Sequence, residues 1–288
     1  MSNKNQREFN IQLKKFDMNR ITKDNVIALL GRRGTGKSTL VKDILYHVKD
    51  IPVGTVISPT EEVNKFYSDI VPPIFIHGMY NSSIVDKFVE RQKFITRKHI
   101  NEIQRYGRSR IDPHAFIILD DCMYDDSWTR DSCIRYLFMN GRHIKALFLF
   151  TMQYPLGVPP ALRTNIDYSF ILKDNNMSNR KKIYEHYAGI FPKHEVFCEF
   201  MTQCTQNYEC LVIDNTIDSN SLEDMVYWYK ADPNVPDFRI GSPEYWKYNG
   251  NFDDDNDEDE NEFERRQNTM RRDMFHKKGP SINVEKMY

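Results

Sequence analysis

Short, wholly apolar runs alternate along this chain with longer stretches whose apolar residues recur three or four positions apart. Val26 to Leu30, Ala115 to Leu119 and the run 144–150 are apolar with little or no alternation, the pattern of strands buried on both faces. Gly54 to Ser58, Ile74 to His77 and Ile166 to Leu172 read as further strands, and 208–213 and 225–229 as late ones. Between them, Leu40, Val41, Ile44, Leu45 and Val48 fall at helical spacing. Thr60 ahead of Glu61 and Glu62 reads as a helix start. Ser82 to Arg110 has one glycine and no proline and reads as one long helix, with Ile84, Val85, Phe88, Phe94 and Ile95 as its buried stripe. Helices are also expected over 128–140, after the prolines of 157–163, and over 180–188 and 193–204. Strands alternating with helices predict an α/β fold with a mostly parallel central sheet flanked by helices.

Three segments are expected: a polar lead-in over residues 1–20, either a helix or an added edge strand, one α/β domain over 21–250, and a charged tail over 251–288. The stretch 230–250, rich in proline, glycine and aromatics, reads as an irregular arm packed on the domain. Residues 253–264 hold nine acids and no base, and 265–288 hold seven bases and two acids. Such a composition cannot bury a core, so a disordered acidic C-terminal tail is expected. Net charge is −1 overall, which leaves the body mildly basic. From Asp86 to Arg110 eight Lys or Arg stand against three acids; this face either meets a phosphate backbone or is simply solvated. No apolar run reaches the roughly 18 residues of a membrane span, and the first 15 residues do not have the form of a secretory signal. The five cysteines form no C-x-x-C pair, which suits reduced thiols in an intracellular protein.

Candidate chemistry starts at Gly31-Arg32-Arg33-Gly34-Thr35-Gly36-Lys37-Ser38, with Thr39 following. A glycine, four residues, then Gly-Lys-Ser is the phosphate-binding loop pattern, and here it lies between an apolar run and a helical pattern, as its mechanism requires. The loop amides would face phosphate oxygens, and the helix start adds its dipole. Lys37 would supply a charge for the β- and γ-phosphates, and Ser38 a hydroxyl for Mg²⁺. ATP and Mg²⁺ are the implied ligands.

The apolar run 115–119 ends in Asp120-Asp121. At the C-terminal end of a buried parallel strand, the first acid would hold Mg²⁺ and the second orient or deprotonate an attacking water; alternatively Asp121 caps the next segment. Gln153, past the end of the run 144–150, either senses the γ-phosphate or satisfies a loop. Arg142 and Arg163 each precede a strand. Either could serve as an arginine finger for a neighbouring subunit, or be an ordinary ion-pair residue.

Taken together, the phosphate loop, Leu119-Asp120-Asp121-Cys122, Asn140-Gly141-Arg142-His143, Thr151-Met152-Gln153 and the segment 160–167 resemble the genome-packaging ATPases of large nucleocytoplasmic DNA viruses. That group includes the poxvirus packaging ATPase and belongs to the FtsK/HerA division of P-loop motors. The likeness covers residues 20–248 and leaves out the acidic tail. It implies a RecA-like sheet and a homo-oligomeric ring, a hexamer, around double-stranded DNA. It also implies Gln153 as sensor, Arg142 as the finger acting in trans, a capsid or internal membrane vertex partner, and a place in the virion and the viral factory of the host cytoplasm. Many relatives in the wider superfamily carry Asp-Glu where this chain has Asp120-Asp121, and the shorter Asp121 stands farther from the water. A P-loop nucleoside or nucleotide kinase, and a nucleotide-gated scaffold that binds DNA or capsid without turnover, are the rival readings.

Overall fold

The computed structural model describes residues 12–122 and 126–247. The expected tail over 251–288 and the first eleven residues of the lead-in lie outside them. By internal contact the chain divides into residues 1–243 and 244–288. Of the second unit, the described part is Glu244 to Lys247, which carries most of a helical turn, α9 (Pro243–Trp246).

Among the described residues the first unit has nine strands: β1 (Lys14–Lys15), β2 (Val26–Leu30), β3 (Gly54–Ile57), β4 (Ile76–His77), β5 (Ala115–Leu119), β6 (Ala146–Met152), β7 (Tyr168–Ile171), β8 (Glu209–Asp214) and β9 (Val226–Lys230). Its helices are α1 (Lys37–His47), α2 (Glu61–Asn64), α3 (Ser82–Tyr106), α4 (Ser132–Asn140), α5 (Pro160–Arg163), α6 (Met177–Tyr187), α7 (His194–Cys204) and α8 (Leu222–Met225). The strands form one sheet in the order β1-β9-β8-β7-β2-β6-β5-β3-β4. Only β8 runs antiparallel to its neighbours β7 and β9; every other pairing is parallel. The mostly parallel α/β sheet read from the sequence is therefore the fold. The central strand β2 lies between β6 and β7, and β2, β3, β5, β6 and β7 are buried along their whole length. That double-sided burial is why these runs lack polar alternation.

Several boundaries shift. The lead-in contributes an edge strand, with Lys14 and Lys15 pairing Tyr227 and Trp228 of β9. The stretch 74–77 is a 3₁₀ turn over Pro73–Phe75 followed by the two-residue β4. The helix expected over 128–140 is broken: a 3₁₀ turn ends at Arg130, and Asp131 then caps α4 by accepting from the Cys133 amide at 2.7 Å. The arm after β9 packs as expected, its amides at Ile240 and Gly241 donating to the carbonyls of Ile70 and Ile51.

The stripe expected on α3 is half wrong. Its buried positions are Val85, Phe88, Val89, Gln92 and Thr96, while Phe94 is 64% exposed. Two of the five are polar, and they are buried because they have partners. Gln92 Nε2 donates to the carbonyls of Pro113 and Ile144, at 2.8 and 2.9 Å, and Thr96 Oγ1 to that of Ile144 at 3.2 Å. Hydrophobicity alone does not find such positions. Among the described residues no helix is long and apolar enough to cross a membrane, and none of the five cysteines forms a disulfide.

Candidate nucleotide site

The C-terminal edge of the parallel strands carries the site. β2 ends at Leu30, and Gly31 to Gly36 turn the chain into α1. Gly36 caps α1 with φ +97, a conformation that a side chain resists. Gly31 has no room for one: an added Cβ would lie 2.8 Å from Thr35 Oγ1 and 2.9 Å from Leu172 Cβ. The Lys37 ammonium lies over this curl, donating to the carbonyls of Gly31 at 2.6 Å and Arg32 at 3.2 Å. Burial lowers its pKa, and the charges of Asp121 and Asp120 act in the opposite direction.

β5 delivers Asp120 and Asp121 beside that lysine, and β6, lying between β5 and β2, delivers Thr151 and Gln153. Asp121 sits at φ +55, in the left-handed region where Asp is among the more tolerant residues. Both its carboxylate oxygens accept from Gln153 Nε2, at 2.7 and 2.9 Å. Thr151 ties the two acids together. Its hydroxyl donates to Asp120 Oδ1 at 2.7 Å and accepts from the Asp121 amide at 3.0 Å. Burial raises the Asp120 pKa, and the hydrogen bond from Thr151 and the charge of Lys37 oppose the rise. Tyr67 is wholly buried near this carboxylate, although its hydroxyl falls short of hydrogen-bond geometry.

Of the residues expected at the site, Arg32, Arg33, Gly34, Gly36, Lys37, Ser38, Thr39, Asp120, Asp121 and Gln153 line one cavity of about 780 Å³. Gly31 and Thr35 shape the loop from behind, Thr35 Oγ1 donating to the Arg32 carbonyl at 2.7 Å. The two arginines are elsewhere. Arg142 pairs with Asp167 at 2.6 Å, next to the start of β2 and thus at the opposite edge of the sheet; its side chain is 62% exposed. Arg163 donates to the Val158 carbonyl at 2.9 Å and lies over the Tyr187 ring. Sequence reasoning named Thr151 only as part of the Thr151-Met152-Gln153 motif and gave it no role at the acids. The signal was there, a hydroxyl inside an otherwise apolar run. It also missed the far wall of the cavity, formed by Tyr208, Lys230 and Pro233.

Ser38 and Asp120 offer hard oxygen donors on the same cavity as Lys37. Among the described residues no group of three or more His, Cys, Asp or Glu could hold a metal ion. Two hard oxygens of this kind suit Mg²⁺, which is commonly held by one or two protein oxygens together with substrate phosphates.

A family model described as "Poxvirus A32 protein" matches residues 13–236. Protein L437 of Acanthamoeba polyphaga mimivirus is 39% identical over 221 residues, 76% of this chain and 77% of the relative. Protein 075L of Invertebrate iridescent virus 6 is 40% identical over 248 residues, 82% of this chain and 92% of the relative. Among solved structures, the genome packaging NTPase B204 from Sulfolobus turreted icosahedral virus 2, in complex with ATP-gammaS, is similar with a TM-score of 0.45 at 16% identity. The match covers 73% of this chain and 98% of that one.

Proposed function

This chain belongs to the poxvirus A32 protein family, and we propose that it is an ATP-hydrolysing motor that drives double-stranded viral DNA into a preformed capsid. The observation that carries this reading is the convergence of Lys37, Asp120, Asp121 and Gln153 on one cavity, from three adjacent strands of a parallel sheet. That arrangement suits hydrolysis of a γ-phosphate, where catalysis is mostly positioning and charge stabilisation.

In this reading the amides of the loop from Gly31 to Thr39 and the Lys37 ammonium hold the triphosphate and spread the charge of the transition state. Ser38 and Asp120 hold Mg²⁺, which when bound neutralises charge between phosphate oxygens. Asp121 orients the attacking water and accepts its proton. Gln153, already hydrogen-bonded to both Asp121 oxygens, monitors whether the γ-phosphate is present. Arg142 is the better placed of the two arginines to act on a neighbouring subunit. It is largely exposed at the sheet edge away from its own cavity, whereas Arg163 is folded onto Tyr187. A hexameric ring, a capsid or vertex partner, and work in the viral factory and virion complete the proposal.

Turnover is expected to rise when duplex DNA is titrated into the purified protein with ATP and Mg²⁺, and the mass to reach that of a ring with an ATP analogue. ATP hydrolysis indifferent to duplex DNA would remove the motor reading. Rings mixed from Arg142→Ala and Lys37→Ala subunits are expected to regain part of the activity each lacks alone, because one intact site then borrows an intact finger. Absence of rescue assigns Arg142 to its ion pair with Asp167.

A further inference from the structure

Two strands to one side of β2 stands β5 with Asp120 and Asp121, and two strands to the other side stands β8. At about 4.8 Å per strand, each flank is roughly 10 Å from the phosphate loop. Because β8 runs antiparallel to β7, its first residue returns to the edge where β2 ends, and the last residue of β9 pairs with it, Glu209 opposite Lys230. A nucleotide whose terminal phosphate faces the acids on one flank must send its base toward the other. Three side chains wait there, those of Tyr208, Lys230 and Pro233, all lining the cavity.

Tyr208 is held there against its own preference. It sits in the turn Gln206–Glu209, closed by the Glu209 amide donating to the Gln206 carbonyl at 2.8 Å. Both central residues have positive φ, Asn207 at +51 and Tyr208 at +65. That is the type I′ pattern, whose second central position favours glycine. A tyrosine there is strained, and strain kept in a site wall points to use. The residue is 68% exposed, yet its ring lies close to the loop: a Cβ on Gly36 would be 3.3 Å from Tyr208 Cδ1. The turn is braced from beneath by Gln206, which accepts from Lys173 Nζ at 2.9 Å and donates to the Thr202 carbonyl at 2.7 Å. The adjoining segment after β9 is anchored as well. Asp43 of α1, 2% exposed, accepts from the Tyr229 hydroxyl at 2.6 Å and the Asp232 amide at 3.1 Å. This fixes the segment bearing Lys230 and Pro233 to the helix that follows the phosphate loop.

Resting on the nucleotide reading above, we propose that Tyr208 is the stacking platform for the adenine base, with Pro233 closing the slot. An exposed aromatic ring binds a base through its π-face, a contact that needs no hydrogen-bond partner.

The test is titration calorimetry with Mg²⁺ and two probes: AMP-PNP, which carries a base, and inorganic tripolyphosphate, which does not. Tyr208→Ala is expected to weaken AMP-PNP binding about tenfold, the size of one base–aromatic stack, and to leave tripolyphosphate binding unchanged. Tyr208→Phe keeps wild-type affinity for both. Tyr208→Gly, the residue the turn prefers, keeps the fold in any case, and binds AMP-PNP as weakly as the alanine variant. Wild-type AMP-PNP affinity in the alanine and glycine variants overturns the stacking role, as does an equal loss for both probes. Wild-type protein that binds neither probe overturns the nucleotide reading itself.

Discussion

Lys37→Ala is expected to lower ATP turnover about 10³-fold while the protein keeps its fold, the size of effect that follows when a preorganised charge at developing anionic oxygens is removed. The separation of the two effects follows from where the lysine sits. Its ammonium donates to two loop carbonyls, those of Gly31 and Arg32, and the helix behind it is held by Leu40, Val41, Ile44 and Leu45, all buried. Circular dichroism and the melting temperature should therefore stay near wild type, while single-turnover hydrolysis collapses. Activity within tenfold of wild type, measured against a preparation free of contaminating ATPase, would take Lys37 out of the mechanism.

Thr151→Val is expected to be the next most damaging change, although no reacting atom is removed. Valine matches threonine in shape, and the site is 2% exposed. Two hydrogen bonds vanish, to Asp120 Oδ1 and from the Asp121 amide, leaving groups unpaired at a cost of about 1–3 kcal/mol. The loss also acts on charge. A hydrogen bond to the ionised form lowers a carboxyl pKa, so deleting it moves the already raised Asp120 value further up. The acid limb of the activity–pH profile then shifts to higher pH, and turnover near neutrality drops about 10- to 100-fold, the range of a positioning contact on a charged group. Thr151→Ser, which keeps the hydroxyl, restores the profile. An unshifted acid limb in the valine variant would mean that Thr151 is only packing.

The strand, loop and helix from Val26 to His47 were legible in the sequence because three signals agree there: an unbroken apolar run, glycines at the required spacing, and helical periodicity. The pair Asp120-Asp121 was legible as a strand end for the same reason. Thr151 was visible as the residue that follows the run 144–150 and opens Thr151-Met152-Gln153, but its link to both acids depends on β6 lying beside β5, which the sequence does not show. On α3, Phe94 was assigned inward by its hydrophobicity, yet the helix turns Gln92 and Thr96 to the core, where both donate to the Ile144 carbonyl just before β6. The Tyr208 wall could not be read at all. Its residues are about 170 to 200 positions from the phosphate loop in the chain, and only the strand order brings them together.

The one reversal of direction in the sheet, at β8, divides the labour of the cavity. Everything expected to break a phosphate bond hangs from strands that share an orientation, whereas the opposite wall hangs from a hairpin closing back on itself. If the hairpin holds the base, mutational drift there would change how tightly a nucleotide is gripped and how long it stays, without disturbing the acids on the other flank. Fuel grip and fuel combustion could thus evolve at different rates within one polypeptide.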